Sequence, residues 1–133
     1  MTIDDAGPGL PTGAFIGRET FRALVRAALA RAAHEGWREL IVCDAGFQDW
    51  PLGERDCVDA LNAWVRAGGC QFTMLAQGYD EVVRRHARFV DWRRQWAHRI
   101  DCRVCAAADA RDLPSALWSP HWVMQRLDIL RSS

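Results

Sequence analysis

Leu40-Ile41-Val42-Cys43, closed at once by Asp44, is the stretch on which the fold turns. Four consecutive apolar residues ending on a carboxylate predict a short strand covered on both faces, as at the centre of a parallel sheet. Upstream, Phe21, Leu24, Val25, Ala28, Leu29 and Ala32 recur at i, i+3, i+4, i+7, i+8 and i+11, the stripe of an amphipathic helix. Thr20 is its expected cap and Gly36 its left-handed stop. Downstream, a loop over residues 45–53 leads into a second helix with Cys57, Val58, Leu61, Trp64 and Val65 inward, closed by Gly68-Gly69. Residues 70–76 then alternate, Cys70, Phe72, Met74 and Ala76 against Gln71, Thr73 and Leu75, which predicts a second strand.

A third helix is expected over residues 79–99, with Tyr79, Val82, Val83, Phe89, Val90 and Ala97 as its core stripe. Residues 100–105 alternate again as a half-exposed third strand. The tail reads as a β-hairpin around Ser119-Pro120-His121, although Ser119 and Pro120 could equally cap and start a last helix. The order α-β-α-β-α-β implies right-handed crossovers, and hence an α/β fold: a short, mainly parallel sheet flanked on both faces by helices. Residues 1–16 hold Asp4, Asp5, Gly7, Pro8, Gly9, Pro11 and Gly13 without periodicity and are expected to be a flexible leader. Residues 17–133 form one α/β domain, a size that buries about two-thirds of the unfolded surface.

Composition removes several classes of function. The 17 basic residues, all Arg, cancel 17 acidic ones, so no global field draws nucleic acid or an anionic membrane. Without Lys there is no Schiff base and no P-loop. No apolar run approaches the roughly 18 residues that span a bilayer, and no secretory signal is seen, so a cytoplasmic protein is expected. Cys43, Cys57, Cys70, Cys102 and Cys105 are odd in number and mostly sit in apolar runs, as small core residues in a reducing compartment. Cys102-Arg103-Val104-Cys105 spells a metal or redox motif, but residues three apart on a strand point to opposite faces.

Ala27-x4-Ala32-Ala33 on a helix, then Leu40-Ile41-Val42, a loop, Ala60-Leu61, Gly68-Gly69 and an apolar strand resembles one half of a phospholipase D-like domain. In that family a helix precedes a strand, a loop, a second helix and a strand entered after Gly. The resemblance covers residues 21–76 closely and 100–128 loosely. Its enzymes carry His-x-Lys, which forms and hydrolyses a phosphohistidine. The matching residues here are Pro114-Ser115-Ala116, with neither His nor Lys, so the resemblance implies a non-catalytic copy acting through binding or self-association. Phospholipase D-like halves pair about a two-fold axis, which implies a homodimer, with Trp118 and Trp122 expected at the contact. The runs over residues 47–52 and 86–93 are also similar to those of small bacterial proteins, a likeness that brings no activity with it.

Ligands of such sheets sit beyond the strand carboxyl ends, which offer residues 44–50, 77–80 and 106–112. Asp44, Asp49, Trp50, Asp80 and His86 are the candidate ligand-binding residues there, for a phosphorylated small molecule. Asp44 with Asp49 could hold magnesium, or Asp44 could simply fix a turn; no cofactor, metal ligand or catalytic residue is assigned. On the third helix Arg84, Arg85, Arg88 and Arg99 fall on one outward stripe with Trp92 and Trp96 beside it, a candidate surface for nucleic acid or another anion. His86 and Arg93 turn inward on the same helix. A buried Arg93 demands a carboxylate, with Asp44, Asp101 and Asp128 as candidates.

Overall fold

The computed structural model describes residues 2–4, 13–14, 17–104 and 115–126. In chain order its elements are β1 (Thr2–Asp4), β2 (Gly13–Ala14), α1 (Arg18–Glu35), β3 (Glu39–Cys43), α2 (Arg55–Arg66), β4 (Gln71–Ala76), α3 (Asp80–Arg85), α4 (Ala87–Gln95), a 3-10 turn (Ala97–Arg99), β5 (Ile100–Val104), β6 (Ser115–Trp118) and β7 (Val123–Arg126). The strands make one sheet in the order β2-β1-β7-β6-β3-β4-β5. Only β3–β4 and β4–β5 are parallel; β6, β7, β1 and β2 continue the sheet antiparallel. The fold is α/β as expected, but the sheet is mixed and not mainly parallel. Of the expected leader, Thr2–Asp4 and Gly13–Ala14 lie at the sheet edge; its other residues lie outside the described residues.

The helical stripe of α1 buries Phe21, Leu24, Val25, Ala28, Leu29 and Ala32, the residues its periodicity selects. Its start differs. Gly17 occupies the cap, and Thr20 lies inside the first turn. Gly36 ends the helix at φ 67°, a conformation that costs glycine nothing. The tail is a hairpin, β6 against β7. Its turn is held by Ser119 Oγ, which accepts from the His121 and Trp122 backbone N–H groups.

Helices on both faces were expected, but the described helices share one. The crossovers β3-α2-β4 and β4-α3-α4-β5 step across the sheet in the same direction. Right-handedness then puts both on the same side, because only a reversal of strand order carries a helix to the other face. Phe72 shows the result. Its ring meets Trp64 of α2 and both Phe89 and Trp92 of α4, at centroid separations of 5.8–6.2 Å. Leu40, Val42, Phe72, Met74, Leu117 and Met124 point into this core. The opposite face carries Ile41, Thr73, Leu75 and Ala116, half-buried, and Trp118, 39% exposed.

The expected third helix is broken at His86 into α3 and α4. The break resets the helical phase, so Val82 is buried while Val83 is 57% exposed and Ala97 lies outside the core. It also moves Arg93, which is half-buried and not enclosed. Its guanidinium lies over the Tyr79 ring and donates to Cys102 Sγ. Of the expected carboxylates, Asp44 is engaged elsewhere and Asp101 pairs with Arg103, while Asp128 lies outside the described residues. Trp92 belongs to the core and not to an arginine stripe, and Trp122 is buried too, so neither offers a surface.

Truncating Phe72 to Ala should therefore cost about 3–5 kcal/mol in urea unfolding. Arg93→Ala, which orphans no buried carboxylate, should cost about 1 kcal/mol. An Arg93 loss as large as that of Phe72 would contradict this packing.

Candidate functional site

The site is built on the loop that leaves β3. Asp44 is buried, and its Oδ2 accepts from the backbone N–H groups of Gly46 (3.0 Å) and Phe47 (2.6 Å). Ser115 Oγ, at the start of β6, donates to Asp44 Oδ1. The carboxylate thus fixes the turn and ties the parallel strands to the hairpin. Protein donors reach both of its oxygens, as the turn-fixing reading of Asp44 expects. Among the described residues no group of three or more His, Cys, Asp or Glu could hold a metal ion.

The turn drives Phe47 into the left-handed region at φ 61°. A bulky side chain pays about 1–2 kcal/mol for that conformation, so the surroundings must compensate. They do so by complete burial of the ring, 4.9 Å from that of Trp50, and through the Phe47 carbonyl, which accepts from His86 Nε2 at 2.8 Å. Trp50 in turn meets Phe21 of α1 edge-on at 5.3 Å. Three predicted residues, Asp44, Trp50 and His86, therefore converge on Phe47.

His86 sits where α3 gives way to α4, and Gly53 makes that approach possible. A Cβ at residue 53 would lie 2.9 Å from the Arg85 carbonyl oxygen and 3.2 Å from His86 Nδ1. Arg88 donates to the Gly53 carbonyl from the other side. Burial, with Arg85 adding a like charge, lowers the His86 pKa; the Phe47 carbonyl and Glu81 oppose this more weakly. The imidazole is therefore held neutral, as the Nε2–H tautomer, because a carbonyl can only accept.

The other predicted residues lie apart. Asp49 faces Arg18, at 3.5 Å. Asp80 lines a separate hollow with Gly46, Gln77, Gly78 and Glu81, at the ends of β3 and β4. Residues 106–112 lie outside the described residues. The four arginines do not share one helix: Arg84 and Arg85 stand on α3 and both bind Glu81, Arg88 is on α4, and Arg99 is in the 3-10 turn. Of the cysteines, Cys57 is so buried that its thiol is pushed up to about 12, far from thiolate chemistry at neutral pH. Among the described residues no helix is long and apolar enough to cross a membrane.

Sequence reasoning missed Phe47, Gly53 and Ser115. Asp44-x-Gly46 signals a turn, but nothing local marks a Phe at positive φ. Ser115 is 71 residues from its partner. No protein-family model, curated protein or solved structure matches the chain.

A neutral buried His86 makes stability depend on pH. Its folded pKa lies below the ordinary value of 6.5, so the unfolded chain takes up the proton first. Stability is full above about pH 6.5 and falls as pH drops below it, by at most about 1.4 kcal/mol per pH unit for one proton. Thermal melts between pH 7.5 and 5 should show this fall. His86→Gln, which keeps an N–H donor but cannot titrate, should flatten it; an unchanged slope would place the linked proton elsewhere.

Proposed function

We propose that this chain is a non-catalytic binding module, built like half of a phospholipase D-like domain, that self-associates through the sheet face opposite its described helices. One observation carries the reading. Across neighbouring strands Ile41 pairs with both Trp118 and Thr73, and Cys43 with both Ala116 and Leu75. Ile41, Cys43, Leu75, Ala116 and Trp118 make an apolar patch on this face, Glu39, Gln71, Asp101, Arg103 and Gln125 share the face with it, and no described helix lies over it. The order α1, β3, loop, α2, Gly68-Gly69, β4 supports the family likeness. In Pro114-Ser115-Ala116, the stretch the likeness matches to His-x-Lys, Ser115 takes the middle position and is fully buried, its hydroxyl bonded to the Asp44 carboxylate.

The structure revises the contact. Five of the seven tryptophans (Trp37, Trp50, Trp64, Trp92 and Trp122) fit inside the core, and Trp96 is half-buried with its Nε1 on Asn62 Oδ1. Trp118 alone is left to the surface. Of the two tryptophans expected at the contact, Trp118 alone remains available for a symmetric interface, where Trp is favoured. An arginine surface for nucleic acid is the weaker reading. Trp92 has no face to offer a base, and Glu81 holds two of the four arginines.

Sedimentation equilibrium at micromolar concentration should give twice the monomer mass, and Trp118→Glu should return it to monomer with an unchanged circular dichroism spectrum. A monomer mass at all concentrations would remove the proposal. The pure protein should also leave a chromogenic phosphodiester unhydrolysed.

A further inference from the structure

We propose that the cleft between the β3–α2 loop and the α3–α4 break binds a small phosphate-type oxyanion that carries its own hydroxyl. The cleft measures about 340 Å³ and is lined by Arg22, Gln48, Trp50, Gly53, Arg85 and His86 among others. It lies away from the sheet face that bears Trp118, so the inference is independent of self-association.

Its polar groups have unspent capacity of a definite kind. Arg22 uses Nε on the Asp49 carbonyl and Nη1 on Glu19, which leaves Nη2 without a hydrogen bond among the described residues. Arg85 uses Nε on Glu81 and leaves both Nη atoms. These are all donors. Glu54, the acid of the cleft, is held by two hydrogen bonds from Arg26, which also lower its pKa. Gln48, exposed, can turn either end of its amide toward an anion. The acceptor fixed in place is on His86. Its Nε2–H is spent on the Phe47 carbonyl, so Nδ1 is an acceptor, and it makes no hydrogen bond among the described residues. It stands 3.2 Å from the place a Cβ on Gly53 would fill, so the glycine leaves that edge of the ring uncovered.

Several donors around one fixed acceptor match hydrogen phosphate or a singly protonated phosphate monoester. The oxygens accept from the guanidinium groups, and the P–OH donates to Nδ1. Sulfate has the same shape and oxygens but no hydroxyl at neutral pH. It would set an acceptor against the Nδ1 lone pair.

Titrating inorganic phosphate into nitrogen-15-labelled protein tests this through the imidazole nitrogens. A saturable shift of His86 Nδ1 is expected, with sulfate binding at least about tenfold more weakly. Arg85 is exposed, so Arg85→Ala should fold normally and weaken phosphate by about tenfold, the worth of a charged hydrogen bond. Arg94→Ala, at an exposed position on α4 outside the cleft, should bind as the parent does. No saturable shift at His86, equal binding of sulfate, or undiminished binding by Arg85→Ala would each overturn the proposal.

Discussion

The carboxylate of Asp44 is the joint on which the molecule depends. It stands just past the end of β3, the strand at which the parallel part of the sheet meets the hairpin, and receives hydrogen bonds from two directions. Its own loop supplies the Gly46 and Phe47 N–H groups, and the distant hairpin supplies the Ser115 hydroxyl. A buried carboxylate stripped of these donors would cost several kcal/mol. The turn, the left-handed Phe47 and the register of β6 on β3 are therefore coupled.

From Phe47 the constraint passes to the helices. Its carbonyl holds His86, and His86 marks the point at which one amphipathic helix becomes two short ones. Gly53 lets the loop touch the break directly. The neutral imidazole is thus a bracket between the β3–α2 loop and the third crossover, and its pKa is low for the same reason that it brackets well: it is enclosed. A ring held by one nitrogen leaves the other available. That divides the chemistry of the cleft into one fixed acceptor among many donors.

The second organising fact is that both parallel crossovers step in one direction. All described helices consequently gather on the Phe72 face, where the aromatic rings of α2, β4 and α4 interlock. On the far face Ile41, Leu75, Ala116 and Trp118 lie beside polar residues such as Thr73 and the Asp101–Arg103 pair, with no described helix over them.

Much of this was legible in the residues. The six-residue stripe of α1, the apolar run ending at Asp44 and the alternation before Ala76 each declare their element, because periodicity is local; Ser119-Pro120-His121 fitted a hairpin turn or a helix start alike, and the pairing of β6 with β7 decided it. Asp44, Trp50 and His86 could be nominated because strand ends and inward polar residues can be counted from the sequence. The one-sided helix layer, the mixed sheet and the break at His86 could not, since each depends on which strand pairs with which. Arg93 was misread for the same reason. A phase shift at residue 86 rotated it from the core to the Tyr79 ring. Local pattern, then, specified the elements and their inward faces. Strand order and the long-range bonds of Ser115 to Asp44 and His86 to Phe47, which join residues 71 and 39 positions apart, decided which of those faces became core, cleft or open surface.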